Sequence, residues 1–95
     1  MKGQGIKTLH LQIIGKVQGV FFRDYTRRKA EELQLAGWVK NRADGSVEAL
    51  VSGDGDQVKK MVEWFHLGSP YSSVQKVITR DTDALPDTQT FQIKW

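Results

Sequence analysis

Arg23 follows Gly19 by four residues, and Gly19 follows Gly15 by four. The stretch Gly15-Lys16-Val17-Gln18-Gly19-Val20 is a short loop bracketed by glycines, and a helical pattern begins directly after it at Phe22. A glycine-flanked loop feeding a helix N-terminus gathers several backbone N–H groups beside the positive end of the helix dipole, an arrangement suited to an anion. Arg23 sits in the first turn of that helix, and its planar fork suits a bidentate grip on phosphate. The loop is not a Walker loop, because no Gly-Lys-Ser/Thr closes it, and Gly15 and Gly19 do not complete G-x-G-x-x-G. Two readings stay open on spacing alone. Either the loop is an anion nest closed by Arg23, or its glycines only turn the chain beside a solvated arginine.

Other chemistry is narrowed by composition. The chain has no Cys, which removes disulfides, thiolate zinc sites, iron–sulfur ligation and a Cys nucleophile together. Its two His leave little for a histidine metal site or a Ser-His-Asp triad. His10 shares a strand face with Thr8 and Gln12 and reads as a half-exposed sheet residue, and His66 reads as a helix-end residue. Asp24 reads as first-turn helix stabilisation, since a carboxylate beside a phosphate would repel it. Lys40 and Arg42 either attract an anionic substrate or are ordinary solvated strand residues. Trp38 and Trp64 read as packing.

The elements that position these residues follow from periodicity. Leu9, Leu11 and Ile13 alternate with Thr8, His10 and Gln12, so Lys7 to Ile14 is a strand with one buried face. Phe22, Thr26, Ala30 and Leu33 form one stripe of a helix predicted to run to Gln34, with Gly37 as a plausible stop. Trp38 to Arg42 and Ser46 to Ser52 read as a hairpin around Asp44-Gly45. Gly53-Asp54-Gly55-Asp56 breaks the pattern and offers an N-cap to a second helix carrying Val58, Met61, Val62 and Phe65, which Gly68 and Pro70 end. Val74 to Arg80 and Phe91 to Trp95 read as strands, with a polar loop between them. The order β-α-β-β-α-β plus a short terminal strand predicts an α+β ferredoxin-like sandwich, a mostly antiparallel sheet with both helices on one face.

Ninety-five residues fold around a single core, so residues 6–95 are expected to form one domain behind a flexible tail at 1–5. The formal net charge of +3 is uneven: residues 1–48 hold nine Lys and Arg against five Asp and Glu, so an anionic partner is drawn to the first half. No segment is apolar for long enough to span a membrane, and the N-terminus lacks the apolar core of a signal peptide. A soluble, cytoplasmic protein is expected, and the small size with no obvious exposed apolar stripe suggests a monomer.

A resemblance shifts the balance between the two readings of the loop. Residues 13–23, Ile-Ile-Gly-Lys-Val-Gln-Gly-Val-Phe-Phe-Arg, resemble the first signature of the acylphosphatase family. Residues 37–53, Gly-Trp-Val-Lys-Asn-Arg-Ala-Asp-Gly-Ser-Val-Glu-Ala-Leu-Val-Ser-Gly, resemble its second, built on G-W-V-x-N followed by D-G-x-V and a later Gly. The two stand in the family's order and spacing, and the similarity runs over essentially the whole chain from about Ile6. Gly68-Ser69-Pro70 stands where the family often has Gly-Pro, remote from the loop.

The resemblance implies hydrolysis of the carboxyl–phosphate bond of acyl phosphates to carboxylate and inorganic phosphate, on a βαββαβ fold. The backbone of Lys16, Val17, Gln18, Gly19 and Val20 and the guanidinium of Arg23 would hold the phosphate, and Asn41 would position the attacking water. No cofactor and no metal are implied, and the partners are small molecules, an acyl phosphate and phosphate, with no nucleic acid and no membrane. An RNA-recognition module shares this element order but needs aromatics on its two central strands, and Leu9 to Ile14 and Ser46 to Ser52 carry none. A metal carrier of this fold would need a Cys pair in the first loop. A ligand-binding regulatory domain would keep the core without needing Arg23 and Asn41.

Overall fold

The computed structural model of the chain describes residues 5–95, so the predicted tail lies outside the described residues except for Gly5, whose carbonyl accepts from Gly55 N at 3.1 Å. The elements are β1 (Ile6–Lys16), α1 (Phe22–Glu32), β2 (Ala36–Asn41), β3 (Val47–Asp54), α2 (Gly55–Leu67), β4 (Ser73–Asp81) and β5 (Phe91–Lys94). The sheet runs β4-β1-β3-β2-β5. β1 pairs antiparallel with β3 and β4, as β2 does with β3, and β5 alone runs parallel to its neighbour β2. This is the ferredoxin-like α+β sandwich.

The core lies between the sheet and its two helices. Leu9, Leu11 and Ile13 of β1 and Val47, Ala49 and Val51 of β3 meet Phe22 and Ala30 of α1 and Val58, Met61 and Phe65 of α2. Burying a side chain such as Phe65 or Met61 contributes about 1.5–3 kcal/mol. Phe22 links the helices, with its ring centroid 6.2 Å from that of Phe65 and 5.6 Å from that of Trp64. Trp64 is thus a packing residue, as its sequence context suggested. The opposite face of the sheet carries the polar parity of β1: Thr8 Oγ1 lies 2.8 Å from Ser52 Oγ, and Gln12 Nε2 donates to Ser46 Oγ at 3.1 Å.

Two boundaries shape the site. Pairing between β1 and β4 shifts register between Ile14 and Gly15, so the chain leaves β1 through a bulge. Gly15 there has φ 142°, and a Cβ would run into the Ser73 carbonyl oxygen. Gly15→Ala is expected to cost about 2 kcal/mol or more, because neither the backbone angle nor the space admits a methyl group. Urea unfolding checks this, and an unchanged midpoint would contradict it. The second boundary corrects the sequence reading of α1. The helix ends at Glu32, short of the predicted Gln34, and Gln34 itself takes the left-handed turn at φ 59°. Gly37 is not the stop. It lies inside β2 at φ 139°, so close to the Leu50 carbonyl that a Cβ has no room.

Candidate active site

The loop between β1 and α1 is pinned by two apolar side chains and by the turn after α2. That turn is not remote from the loop, contrary to the sequence reading: the Ser69 hydroxyl donates to the Val20 carbonyl at 3.3 Å. Val17 and Val20 are buried in the core, while Lys16 and Gly19 are exposed and Gln18 is half-buried. The residues the core does not claim are therefore free to form a surface. Among the described residues, the amides of Val17, Gln18, Gly19 and Val20 donate to no acceptor. A run of four such amides ahead of a helix N-terminus has the form of a nest that can take an anion. Phe21 follows in the left-handed region, φ 61° and ψ 23°, and α1 begins with no side-chain cap. A bulky residue in that conformation is strained, which places backbone strain at the junction of loop and helix.

Arg23 projects from the first turn of α1 toward the end of β5. Its Nη1 donates to the Lys94 carbonyl at 3.3 Å, and its guanidinium carbon stands 4.2 Å from the centre of the Trp95 ring, a cation–π contact. Asn41 is the last residue of β2. Its Oδ1 is buried and has no hydrogen-bond partner among the described residues. A buried acceptor left unpaired is costly, so its presence beside a cleft calls for a donor from outside the chain.

These groups share one cleft of about 450 Å³, lined by Val17, Gly19, Phe21, Arg23, Asn41 and Trp95 among others. Two of the residues singled out from sequence, Arg23 and Asn41, therefore face one space from opposite sides of the chain's order. Of the loop, Val17 and Gly19 line the cleft and Lys16, Gln18 and Val20 do not. Their expected contribution is through the backbone. Asp24 also lines the cleft, yet its carboxylate is engaged by Arg28 at 3.0 Å and Arg27 at 3.3 Å, in keeping with a helix-stabilising role. Phe21 lies within the first signature without an assigned role, and Trp95 and Ile93 escaped the sequence reading. Nothing in the local spacing of those two marks them, because they reach the site through the pairing of β5 with β2, Val39 opposite Ile93 and Lys40 opposite Lys94.

The charges flanking Asn41 are partly spoken for. Glu48 takes a 2.6 Å hydrogen bond from His10 and lies 3.4 Å from Arg42 Nη1 and 3.9 Å from Lys40 Nζ. Partial burial raises the Glu48 carboxyl, but the His10 hydrogen bond and the charges of His10, Lys40 and Arg42 outweigh it and hold the group below the ordinary glutamate value. Lys40 and Lys94 both stand over the Trp38 ring, at 5.4 and 5.0 Å. In the turn after Asn41, Ser46 donates its hydroxyl and amide to Asp44 Oδ1 at 2.6 and 3.0 Å, and these bonds lower the Asp44 carboxyl. The hairpin carrying Asn41 is thereby stiffened at its tip.

Comparison with known proteins agrees with the fold. The family model described as acylphosphatase matches residues 9–93. An acylphosphatase of Thiobacillus denitrificans is 51% identical over 78 residues, covering 82% of this chain and 88% of its own. The solved structure of an acylphosphatase from Coxiella burnetii superposes with a TM-score of 0.89 at 39% identity, covering 99% of this chain and 98% of that one. That of acylphosphatase from Bacillus subtilis gives 0.88 at 36% identity, covering 95% and 99%. A chain matched by the acylphosphatase family model over residues 9–93, and about half identical to a relative of that name over most of its length, belongs to the acylphosphatase family of hydrolases.

Proposed function

We propose that this chain hydrolyses acyl phosphates without a metal ion, holding the phosphate on the backbone of Lys16 to Val20 and on Arg23, with Asn41 orienting the attacking water. The observation that carries this reading is the meeting of complementary unmet needs in one cleft. Among the described residues the amides of Val17 to Val20, of which Val17 and Gly19 line the cleft, have no acceptor, and the Asn41 Oδ1 has no donor. A phosphoryl group supplies oxygens to the first, and a water supplies a hydrogen to the second.

The chemistry needs little more. The leaving group is a carboxylate whose conjugate acid has a pKa of about 4–5, so it departs without a general acid. Phosphoryl transfer passes through a loose transition state with its charge on the phosphoryl oxygens, and catalysis is mostly positioning and electrostatics. Arg23 and the loop amides meet that charge in a fixed frame, which spares the reorganisation that water would require. The carboxamide of Asn41 accepts from the water and aims it at phosphorus. A neutral amide is a poor base, so the bound phosphate takes the water's proton. Attack then forms the new P–O bond as the carboxyl–phosphate bond breaks, leaving carboxylate and inorganic phosphate.

The test is turnover of a synthetic acyl phosphate in excess chelator, beside a sugar phosphate at the same concentration. The acyl phosphate is expected to be cleaved and the monoester spared, because an alkoxide leaves poorly without a proton donor. Equal activity on both, or loss of activity in chelator, would overturn the reading.

A further inference from the structure

We propose that the side chain of Gln18 is a positioning residue for this reaction: its carboxamide ties the anion loop to the hairpin that carries Asn41, and so sets where the water stands relative to phosphorus. The inference rests on the proposed role of Asn41. Gln18 Nε2 donates to the carbonyl oxygens of Arg42 and Ser46, at 2.8 Å each. Both neighbours are pure acceptors, so only the NH₂ end of the amide can face them. The same two carbonyls close the mouth of the hairpin, where Arg42 N donates to Ser46 O at 2.8 Å and Gly45 N to Arg42 O at 3.2 Å. Arg42 directly follows Asn41 in the chain.

Among the described residues, this is the only hydrogen-bonded link between residues 17–20 and the hairpin. The proposed reaction divides its two reactants between those segments. The loop holds the phosphoryl group and the end of β2 holds the water, so any drift of one against the other changes the line of attack. A displacement of about 1 Å is enough to cost as much as a hundredfold in rate. The loop's own anchors, Val17 and Val20, fix its depth in the core through apolar contacts. Those contacts are not directional. The Ser69 hydroxyl, which donates to the Val20 carbonyl at 3.3 Å, ties the loop to the turn after α2 and not to the hairpin. It is the two short bonds from one planar group that set distance and orientation against the hairpin.

The experiment uses steady-state hydrolysis of acetyl phosphate together with the rise in melting temperature on adding inorganic phosphate. Gln18→Ala is expected to lower kcat by about tenfold to a hundredfold. KM and the phosphate-dependent rise are expected to stay near wild type, because the loop amides and Arg23 remain. In an Asn41→Ala background the same substitution is expected to cost nothing further, since no positioned water is left to misalign. Gln18→Glu keeps the length but turns an acceptor toward two carbonyls, and it loses as much at neutral pH. Its activity relative to wild type is expected to recover as pH falls toward about 5, where the protonated carboxyl regains a donor. A merely structural role predicts no such recovery, and Gln18→Glu alone decides should Gln18→Ala not fold. Undiminished kcat, an equal loss in the Asn41→Ala background, or loss of the phosphate-dependent rise would each overturn the proposal. Wild-type turnover in Asn41→Ala alone would instead overturn the assignment of Asn41.

Discussion

Arg23→Ala is expected to lose phosphate binding and turnover together. The guanidinium would touch the same oxygens in substrate, transition state and product, so its removal raises KM and lowers kcat rather than only one of them. A positioned arginine at a transferring phosphoryl group is worth about a thousandfold or more in rate. Binding has a separate readout. A ligand that binds only the folded state stabilises it by about 2.7 kcal/mol at a hundredfold excess over Kd, which for a chain of this size is on the order of ten degrees in Tm. Wild type is expected to show that rise with inorganic phosphate, and Arg23→Ala almost none. Lys is expected to rescue poorly, because an ammonium offers one charge where the fork offers two parallel donors, and it stacks less well on the Trp95 ring. A fully active Arg23→Lys variant would sink the bidentate grip.

Asn41→Ala is expected to separate chemistry from binding. Turnover falls by about a hundredfold to a thousandfold as the water loses its guide, the range seen when one preorganised polar group is removed. The phosphate-dependent rise in Tm stays close to wild type, since the loop amides and Arg23 are untouched. The unpaired Oδ1 adds a second expectation. Its removal takes away a buried acceptor with no partner among the described residues, so Tm without phosphate is expected to hold or to rise. Stability retained while turnover collapses is the mark of a polar group kept for the reaction. If Asn41→Ala loses the phosphate-dependent rise as completely as Arg23→Ala, Asn41 holds the anion or the loop, and the division of roles is wrong.

What the chain determined by itself is local. Alternation of Leu9, Leu11 and Ile13 declares which face of β1 is buried, because side chains of a strand point to opposite sides in turn. Val58, Met61 and Phe65 declare the buried stripe of α2 in the same way, and the glycines at 15 and 19 with Arg23 mark the loop within nine residues. Tertiary structure decided everything that depends on which element lies beside which. Periodicity says that a strand is half-buried but does not name its neighbour, so the parallel seat of β5 on β2, and with it Trp95 and the Lys94 carbonyl against Arg23, left no local trace. Gly37 shows the same limit in reverse: a glycine soon after a helix reads as a stop, whereas its cause is the carbonyl of Leu50 on the adjacent strand. The bonds from Gln18 to the backbone of Arg42 and Ser46 and the unpaired oxygen of Asn41 were invisible for a further reason. A backbone carbonyl is the same acceptor in every residue, so no residue type announces it, and only the folded chain brings it within reach.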